Sequence, residues 1–412
     1  MEKKSYKCRV CKKIIKDYFC DLGHTPLANS FLRNKRSIKS EKKYPLKVYY
    51  CKNCYLPQLP EHVKAKNIFS KYDYFSSYSE SWIKHSKSFV EKIIKKNILN
   101  KNNKICEVAS NDGYLLQFFK KKGYEVLGIE PASNVADVAI KKKIPTVKFF
   151  FGYKVAKKIK KTYGSQDLII CNNVYAHVPD INDFTLGIKE LLSDDGIVTL
   201  EFPELLNTIK GGQFDQIYHE HFSYLSLTAV HKIFMRAGLN VFKIEELSTH
   251  GGSLRVYGCH KDSKKFNVTQ SVINQLKKEE DFGLKDLNTY INFQQKAEKI
   301  KDEFITFLLE QKRKNKKVCA YGAAAKGNTL LNYAGIRTDL IDFVCDAAPS
   351  KQNKFLPGSH IPILHPSKLE EVDVDFIIIF PWNIADEIIT NFKHLKKNGT
   401  QFVKAVPHLT IL

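Results

Sequence analysis

Lys104-Ile105-Cys106-Glu107-Val108-Ala109-Ser110-Asn111-Asp112-Gly113 runs into a helix start from Tyr114 to Lys121 and then into Tyr124-Glu125-Val126-Leu127-Gly128-Ile129-Glu130. An apolar strand, a turn of small residues, a helix and a second strand ending on an acid make the nucleotide-binding βαβ unit. The small residues let the backbone approach a ligand, and the terminal acid accepts hydrogen bonds from ribose hydroxyls. A dinucleotide site carries three glycines and seats its pyrophosphate on the helix N-terminus. Here those positions hold Ala109, Asn111 and only Gly113. Glu107, at the mouth of the turn, repels a phosphate and suits a sulfonium with its amino group, so the electrostatics favour S-adenosylmethionine over NAD.

Downstream the pattern continues as an α/β fold. Asp167-Leu168-Ile169-Ile170-Cys171-Asn172-Asn173 reads as a buried parallel strand followed by Val174 to Asp180, and Gly196 to Pro203 as another strand. His177 falls at the carboxyl end of its strand, where ligands lie in open α/β sheets; it reads equally as a helix-capping residue. Upstream, tyrosines and serines crowd between Lys71 and Tyr78 before a helical stretch from Ser79 to Lys96. That cluster also reads as a packed loop.

After this core stands Tyr218-His219-Glu220-His221. In an extended backbone Glu220 and Tyr218 share one face and the two imidazoles the other, which points to acid/base chemistry; a turn would reshuffle those faces. The plainer alternative is that Phe222, Tyr224 and Leu225 continue a half-buried strand whose wet side carries the tetrad. Further on, His250-Gly251-Gly252-Ser253 and Arg255 read either as a pocket lining or as a glycine-permitted bend between two strands.

Before the core, Cys8 and Cys11 form one CxxC and Cys51 and Cys54 a second, the spacing of a tetrahedral zinc site. The long loop between them leaves Cys20 or His24 as substitutes for one ligand. Neither pair lies at a helix start within a thioredoxin-like βαβ unit, which argues against redox work. Four thiolates leave no open coordination position, so the expected zinc is structural and not catalytic.

Taken in order, the paired CxxC, EVASNDG, GIEPA, NNVYAHVPD, IYHEHFSYLS and THGGSLRVYG resemble the zinc-containing, S-adenosylmethionine-dependent sugar C-3 methyltransferase family, over nearly the whole chain. The resemblance implies a zinc module, a central class I methyltransferase domain with a Rossmann-like core, and a C-terminal Rossmann-like domain that helps hold a nucleotide-linked sugar. By motif it implies that His221 is the general base, that Tyr218 and Glu220 are its companions, and that His177 is a substrate-side histidine. Tyr72 would close on the substrate, which Tyr224 would also contact. His219 is not expected to be the base. Glu107, Ala109, Asn111, Gly113, Glu130 and Asn173 fall on cofactor positions, and His250 and Arg255 on the sugar pocket. Chemically, methylating a carbon beside a ketone requires a base poised near neutrality and a group that stabilises the enolate.

A polar stretch from Lys261 to Lys316 places Tyr290, Phe293, Ala297, Ile300, Phe304 and Leu308 at helical spacing, the pattern of a connecting helix. Then Lys317 to Tyr321 reads as a strand and Gly322 to Asn328 as a small-residue turn opening a helix. Lys326 and Asn328 there are candidates for contact with a diphosphate; the same turn reads as a tight crossover without a ligand. Ile341 to Asp346 and Asp375 to Phe380 repeat the buried-strand pattern. The expected organisation is 1–70 zinc module, 71–260 methyltransferase domain, 261–316 helical connector and 317–412 second Rossmann-like domain.

The 412 residues suit two to three domains. The formal charge of +23 comes from 66 Lys+Arg against 43 Asp+Glu, mostly lysines in short scattered runs. A nucleic-acid reader concentrates arginine and aromatics on one surface, so nucleic acid is not the expected partner and an anionic substrate is. No charged-then-apolar leader opens the chain and no apolar run reaches the roughly twenty residues a bilayer needs. The expectation is a cytoplasmic monomer without a membrane partner, its ten cysteines thiols or metal ligands. Rival readings are an O- or N-methyltransferase on a related sugar and a zinc-stabilised, non-catalytic binding protein.

Overall fold

The computed structural model describes residues 5–71, 75–96 and 98–412. At the N-terminus β1 (Tyr6–Lys7) and β2 (Ile14–Ile15) pair antiparallel and turn the first CxxC back on itself. An antiparallel sheet follows, of β3 (Tyr18–Thr25), β4 (Tyr44–Cys51) and β5 (Leu56–Gln58), with the second CxxC in the β4–β5 turn. These two parts face different neighbours. The cysteine-bearing turns share a buried apolar cluster with the central sheet, whereas Phe19 and Leu46 belong to a second cluster with the C-terminal half.

The central sheet contains β6 (Lys104–Val108), β7 (Glu125–Ile129), β8 (Thr146–Val147), β9 (Gln166–Asn172), β10 (Leu192–Pro203), β11 (Leu239–Leu247) and β12 (Ser253–His260). Their order is β11-β12-β10-β9-β6-β7-β8. β6 to β10 run parallel, and β12 is antiparallel to both its neighbours. Leu168, Ile169, Ile170 and Cys171 of β9 are wholly buried, as befits a strand covered on both faces. β6 lies between β7 and β9, so the winding reverses there and opens a crevice beyond the carboxyl ends of the strands. This doubly wound sheet is the Rossmann-like core expected for the central domain.

The polar stretch expected to be one connector makes two helices, Gln270–Asp281 and Asn288–Arg313. Gly283, at φ 85°, takes the left-handed conformation that parts them. The second helix buries the apolar positions its spacing predicts and packs them on β3 and β4: Phe19 stacks on Phe293 with centroids 4.4 Å apart, and Tyr50 lies 4.2 Å from Tyr290.

The last sheet comprises β13 (Val318–Tyr321), β14 (Val344–Cys345), β15 (Lys354–Phe355), β16 (Pro362–Leu364), β17 (Phe376–Ile379), β18 (Gln401–Lys404) and β19 (Thr410–Ile411). In the order β15-β16-β14-β13-β17-β18-β19, five parallel strands are flanked by antiparallel edges. β14 is shorter than the run Ile341 to Asp346 suggests. Leu32 exchanges backbone hydrogen bonds of 2.9 and 2.8 Å with Phe355, and Gln58 bridges Ser223, so the N-terminal segment is stitched to both α/β sheets. Among the described residues no helix is long and apolar enough to cross a membrane.

Candidate functional site

The turn after β6 is built on three residues with positive φ: Ala109 at 58°, Asn111 at 49° and Gly113 at 78°. For alanine and asparagine that conformation costs on the order of 1 kcal/mol each, and hydrogen bonds hold it. The Ala109 amide donates to the Ile129 carbonyl at 2.7 Å, and the Asn111 amide to Glu130 Oε2 at 2.9 Å. Glu130 Oε1 accepts the Ala132 amide at 2.8 Å. Burial lifts the Glu130 carboxyl to about 7 while these two amides pull it back. A carboxylate offers about four lone-pair positions, so two remain for hydroxyl donors of a ribose. Glu107 is buried too, and neither of its oxygens has a hydrogen-bond partner of good geometry among the described residues. Burial raises its pKa strongly; the nearby Tyr114 hydroxyl opposes the rise, and the charges of Glu130 and Asp112 add to it. A bound cation would compensate that carboxylate, so these residues fit S-adenosylmethionine.

Asn173, directly after β9, also has positive φ, 51°, and its amide donates to the Glu201 carbonyl at 2.7 Å. Its Nδ2 lies 3.3 Å from His250 Nε2. His250 sits in a tight bend, Thr249–Gly251, between β11 and β12. A side chain on Gly251 would drive into the Trp382 ring and one on Gly252 into Asn207. The segment is thus the glycine-dependent bend, and it sets His250 beside Asn173 at the end of β9. Trp82 lies 5.4 Å from His250 and stacks on His85 at 4.9 Å.

The tetrad forms a turn, not a strand; the His221 amide donates to the Tyr218 carbonyl at 2.9 Å, and Ser223 keeps only an isolated bridge. The faces of an extended chain are redistributed. Tyr218 meets His221, hydroxyl to Nε2 at 2.7 Å with ring centroids 4.0 Å apart. His221 Nδ1 lies 2.7 Å from the Gln216 carbonyl. A carbonyl only accepts, so Nδ1 carries the proton and Nε2 is the acceptor for the Tyr218 hydroxyl. Burial holds the His221 pKa well below the ordinary imidazole value, and the charges of His177 and Lys326 deepen the shift. The His177 ring packs 4.7 Å from His221 and 5.7 Å from Phe69. Burial takes His177 down to about 4, against a ring N–H donated to the Glu220 carbonyl; its Nδ1 has no partner among the described residues. Neutral His177 thus offers a lone pair at Nδ1, not a proton. The Glu220 carboxylate turns away to Asn29 Nδ2 at 2.7 and 2.9 Å. His219 goes to the Pro45 carbonyl at 3.2 Å, and the Tyr224 ring lies 6.3 Å from His221. Tyr72 lies outside the described residues.

The C-terminal sheet reaches the same crest. Lys326, in the first turn of the helix Ala325–Ala334, places its ammonium 4.3 Å over the Trp382 ring and 3.1 Å from Asn383 Oδ1. Burial lowers Lys326 to about 8 and Asp215 pulls the other way. Asp215 accepts the Trp382 indole N–H at 2.6 Å. Asn328 is placed differently from its expected substrate role: its amide donates to the Ala28 carbonyl at 2.6 Å, bracing the N-terminal segment. Arg255 likewise does not line a pocket. Its guanidinium is buried, 2.6 Å from Glu201 and 4.3 Å over Phe89, and Glu201 also holds His85 at 2.9 Å. Bulk and charge both favour this placement, because Glu201 is wholly buried and needs a counter-ion.

Asp215, Gln216, Glu201 and the two tryptophans carry no motif. The one available signal is rarity: the chain has two Trp, and both lie beside His250.

The sulfur atoms of Cys8, Cys11, Cys51 and Cys54 all lie within 4.8 Å of one another. Cys8 is drawn far down by thiol donation from Cys51 and Cys54, and Cys54 is driven far up by Cys51 and Cys8. A zinc ion would hold all four as thiolates. The donor set fits zinc. Cys20 is buried in the other core cluster and His24 is exposed, so neither substitutes. All ten cysteines are free thiols in the structure.

Family models match in three consecutive blocks: "Putative zinc binding domain" over residues 8–69, "Methyltransferase domain" over 82–244, and "C-methyltransferase C-terminal domain" over 248–407. C-methyltransferase NovU of Streptomyces niveus is 32% identical over 409 residues, 98% of this chain and 96% of that protein. Among solved structures, magnesium protoporphyrin IX methyltransferase of Synechocystis PCC 6803 with bound SAM is 15% identical, covering 43% of this chain and 79% of that one at a TM-score of 0.33. A SAM-dependent methyltransferase of Anabaena variabilis ATCC 29413 is 13% identical, covering 42% and 84% at a TM-score of 0.36.

Proposed function

The chain belongs to the S-adenosylmethionine-dependent C-methyltransferases, and from that premise we propose that it methylates C-3 of a nucleotide-linked 4-keto deoxysugar, for a surface polysaccharide or other glycoconjugate. The observation that carries the reading is the Tyr218–His221 pair: a neutral imidazole whose Nδ1–H is spent on the Gln216 carbonyl, leaving Nε2 beside a phenol in a buried crest. Glu107, the turn through Ala109, Asn111 and Gly113, Glu130 and Asn173 would hold S-adenosylmethionine, which when bound would supply the electrophilic methyl group.

The chain's own groups prepare the carbon. As the ketone enters, the Tyr218 hydroxyl turns from His221 to the C-4 oxygen and frees Nε2. His221 takes the C-3 proton, the C–H electron pair forms the C-3–C-4 double bond, and the carbonyl pair moves to the oxygen. Tyr218 donates to that enolate oxygen. His177, an acceptor at Nδ1, holds a sugar hydroxyl. Glu220 acts through its carbonyl, which fixes the His177 ring, and through its grip on Asn29. Lys326 faces the diphosphate from the second sheet, and Tyr72, Tyr224 and His250 close the sugar pocket. The same reading makes the protein a monomer of the cytoplasm.

Incubation with dTDP-, GDP- and CDP-linked 4-keto sugars, read by mass spectrometry for a gain of one methylene, identifies the substrate. His221→Asn is expected to lose methyl transfer and C-3 deuterium exchange together, by roughly 10²- to 10⁴-fold. An unimpaired His221→Asn would refute the assignment.

A further inference from the structure

The segment Phe214–Ile217, just ahead of the Tyr218–His221 turn, is gripped from the C-terminal domain at two points. Asp215 Oδ2 accepts the Trp382 indole N–H at 2.6 Å, and the Ile217 carbonyl accepts the Thr329 hydroxyl at 2.9 Å. Between these grips lies the Gln216 carbonyl that receives the His221 Nδ1 proton at 2.7 Å. Phe214 packs its ring 5.4 Å from Tyr333 of the same helix as Thr329. Asp215 is 1% exposed and its charge faces Lys326, so it is held by an indole and an ammonium that both belong to the second sheet. Trp382 cannot drift toward the central domain, because Gly251 leaves room for that ring and no more.

We propose that Asp215, Trp382 and Thr329 are positioning residues through which the docked C-terminal domain sets the tautomer and orientation of His221. An imidazole of free choice places its proton on either nitrogen; a fixed carbonyl at Nδ1 makes Nε2 the basic atom. If the Gln216–Ile217 peptide rotated, Nδ1 would lose its acceptor, and Nε2 would bear the proton in part of the molecules and lose its basicity there. The second sheet would then be part of the proton-transfer apparatus as well as a holder of substrate. The proposal rests on the reading of His221 as the base.

Four variants test it in the full-length protein: Trp382→Phe, which keeps an aromatic ring but not the N–H; Thr329→Val, which keeps the shape but not the donor; and Asp215→Ala against Asp215→Asn, which retains an acceptor oxygen for the indole. The nitrogen-15 shifts of the His221 ring report which nitrogen carries the proton, and kcat and KM are read separately. In the parent the Nδ1–H form is expected alone. Trp382→Phe and Asp215→Ala are expected to give a mixture of tautomers and a kcat about 10- to 100-fold lower, the loss typical when an orienting partner is removed, with KM for S-adenosylmethionine within about twofold. Asp215→Asn is expected to restore the single tautomer. Folded Trp382→Phe and Thr329→Val proteins with the parent tautomer and parent kcat overturn the proposal. If His221→Asn keeps full activity while these variants still mix tautomers, the latch stands and the assignment of the base falls.

Discussion

The central and C-terminal sheets solve the same local problem with the same geometry and opposite electrostatics. In the first, Glu130 follows β7 and accepts the amides of Asn111 and Ala132 at 2.9 and 2.8 Å. In the second, Asp346 follows β14 and accepts the amides of Ala323 and Ala348, both at 2.8 Å. Each acid thus pins the turn after the first strand of its sheet and also the amide two residues beyond itself. Their charges diverge. Asp346 is paired with Lys351 at 3.1 Å, whereas Glu130 has no such partner among the described residues, is pushed by burial to about 7, and shares its crest with a second buried acid, Glu107. The fold supplies the cradle, and the charges around it differ: the first crest keeps acids without a cation beside them, which suits a cationic ligand, and on the proposed reading the second crest offers Lys326 to an anion.

The sharpest test of that contrast begins with the N-terminal segment, which touches both sheets. Removing the metal with a chelator, or Cys51→Ser, is expected to lower the melting temperature by about 10 °C or more, since a structural zinc contributes several kcal/mol and each is worth ~2–4 °C in a domain of this size. Hydrogen exchange should rise first in the central sheet, whose apolar cluster contains Cys8, Cys51 and Cys54, with Cys11 packed against it. Earlier exchange in the C-terminal sheet would reverse that coupling. Next in size, Glu130→Ala is expected to weaken S-adenosylmethionine binding roughly 10- to 100-fold, or ~1.4–3 kcal/mol, by calorimetry. Asp346→Ala should leave that affinity within about twofold. Equal losses would mean that the two acids are not specialised.

The smallest effect concerns pH. Lys326 is positive below its pKa of about 8 and helps to hold His221 below the ordinary imidazole value. Removing that charge lets His221 bind a proton more readily, so Lys326→Met moves the acid limb of kcat/KM to higher pH, toward the ordinary imidazole range. The same variant should raise KM for the nucleotide sugar about tenfold, through the lost charge on the diphosphate. A limb that stays put or moves to lower pH would separate Lys326 from the base.

Much of this was legible in the chain. Strand β6 falls where Lys104 to Val108 predicts it, because a short apolar run bounded by a small-residue turn has one way to be buried in a parallel sheet. The two CxxC pairs name their metal site by spacing, and the structure only selects them over Cys20 and His24. The helix Asn288–Arg313 buries the six positions its period marks. Errors arose where the reading assumed a local conformation. The tetrad at Tyr218 was legible as proton chemistry, but its extended and turned forms pair different residues, and the turn alone brings the phenol to His221. Asn328 and Arg255 look like ligand contacts in a motif. Their partners, Ala28 and Glu201, lie 300 and 54 residues away.

The order of residue types by itself determined the two wound sheets, the metal-ligating cysteines, the acidic cofactor turn and the presence of histidines near a strand end, because each depends on periodicity or spacing within one segment. Only the tertiary structure decided which nitrogen of His221 carries the proton, that neutral His177 accepts at Nδ1, and that Trp382 and Thr329 grip the segment on either side of Gln216. The grips on Asp215 and Ile217 close between segments more than a hundred residues apart, and the Gln216 carbonyl, near in sequence, reaches His221 Nδ1 because the chain turns there; a proton's position is set by whichever acceptor the fold brings to it.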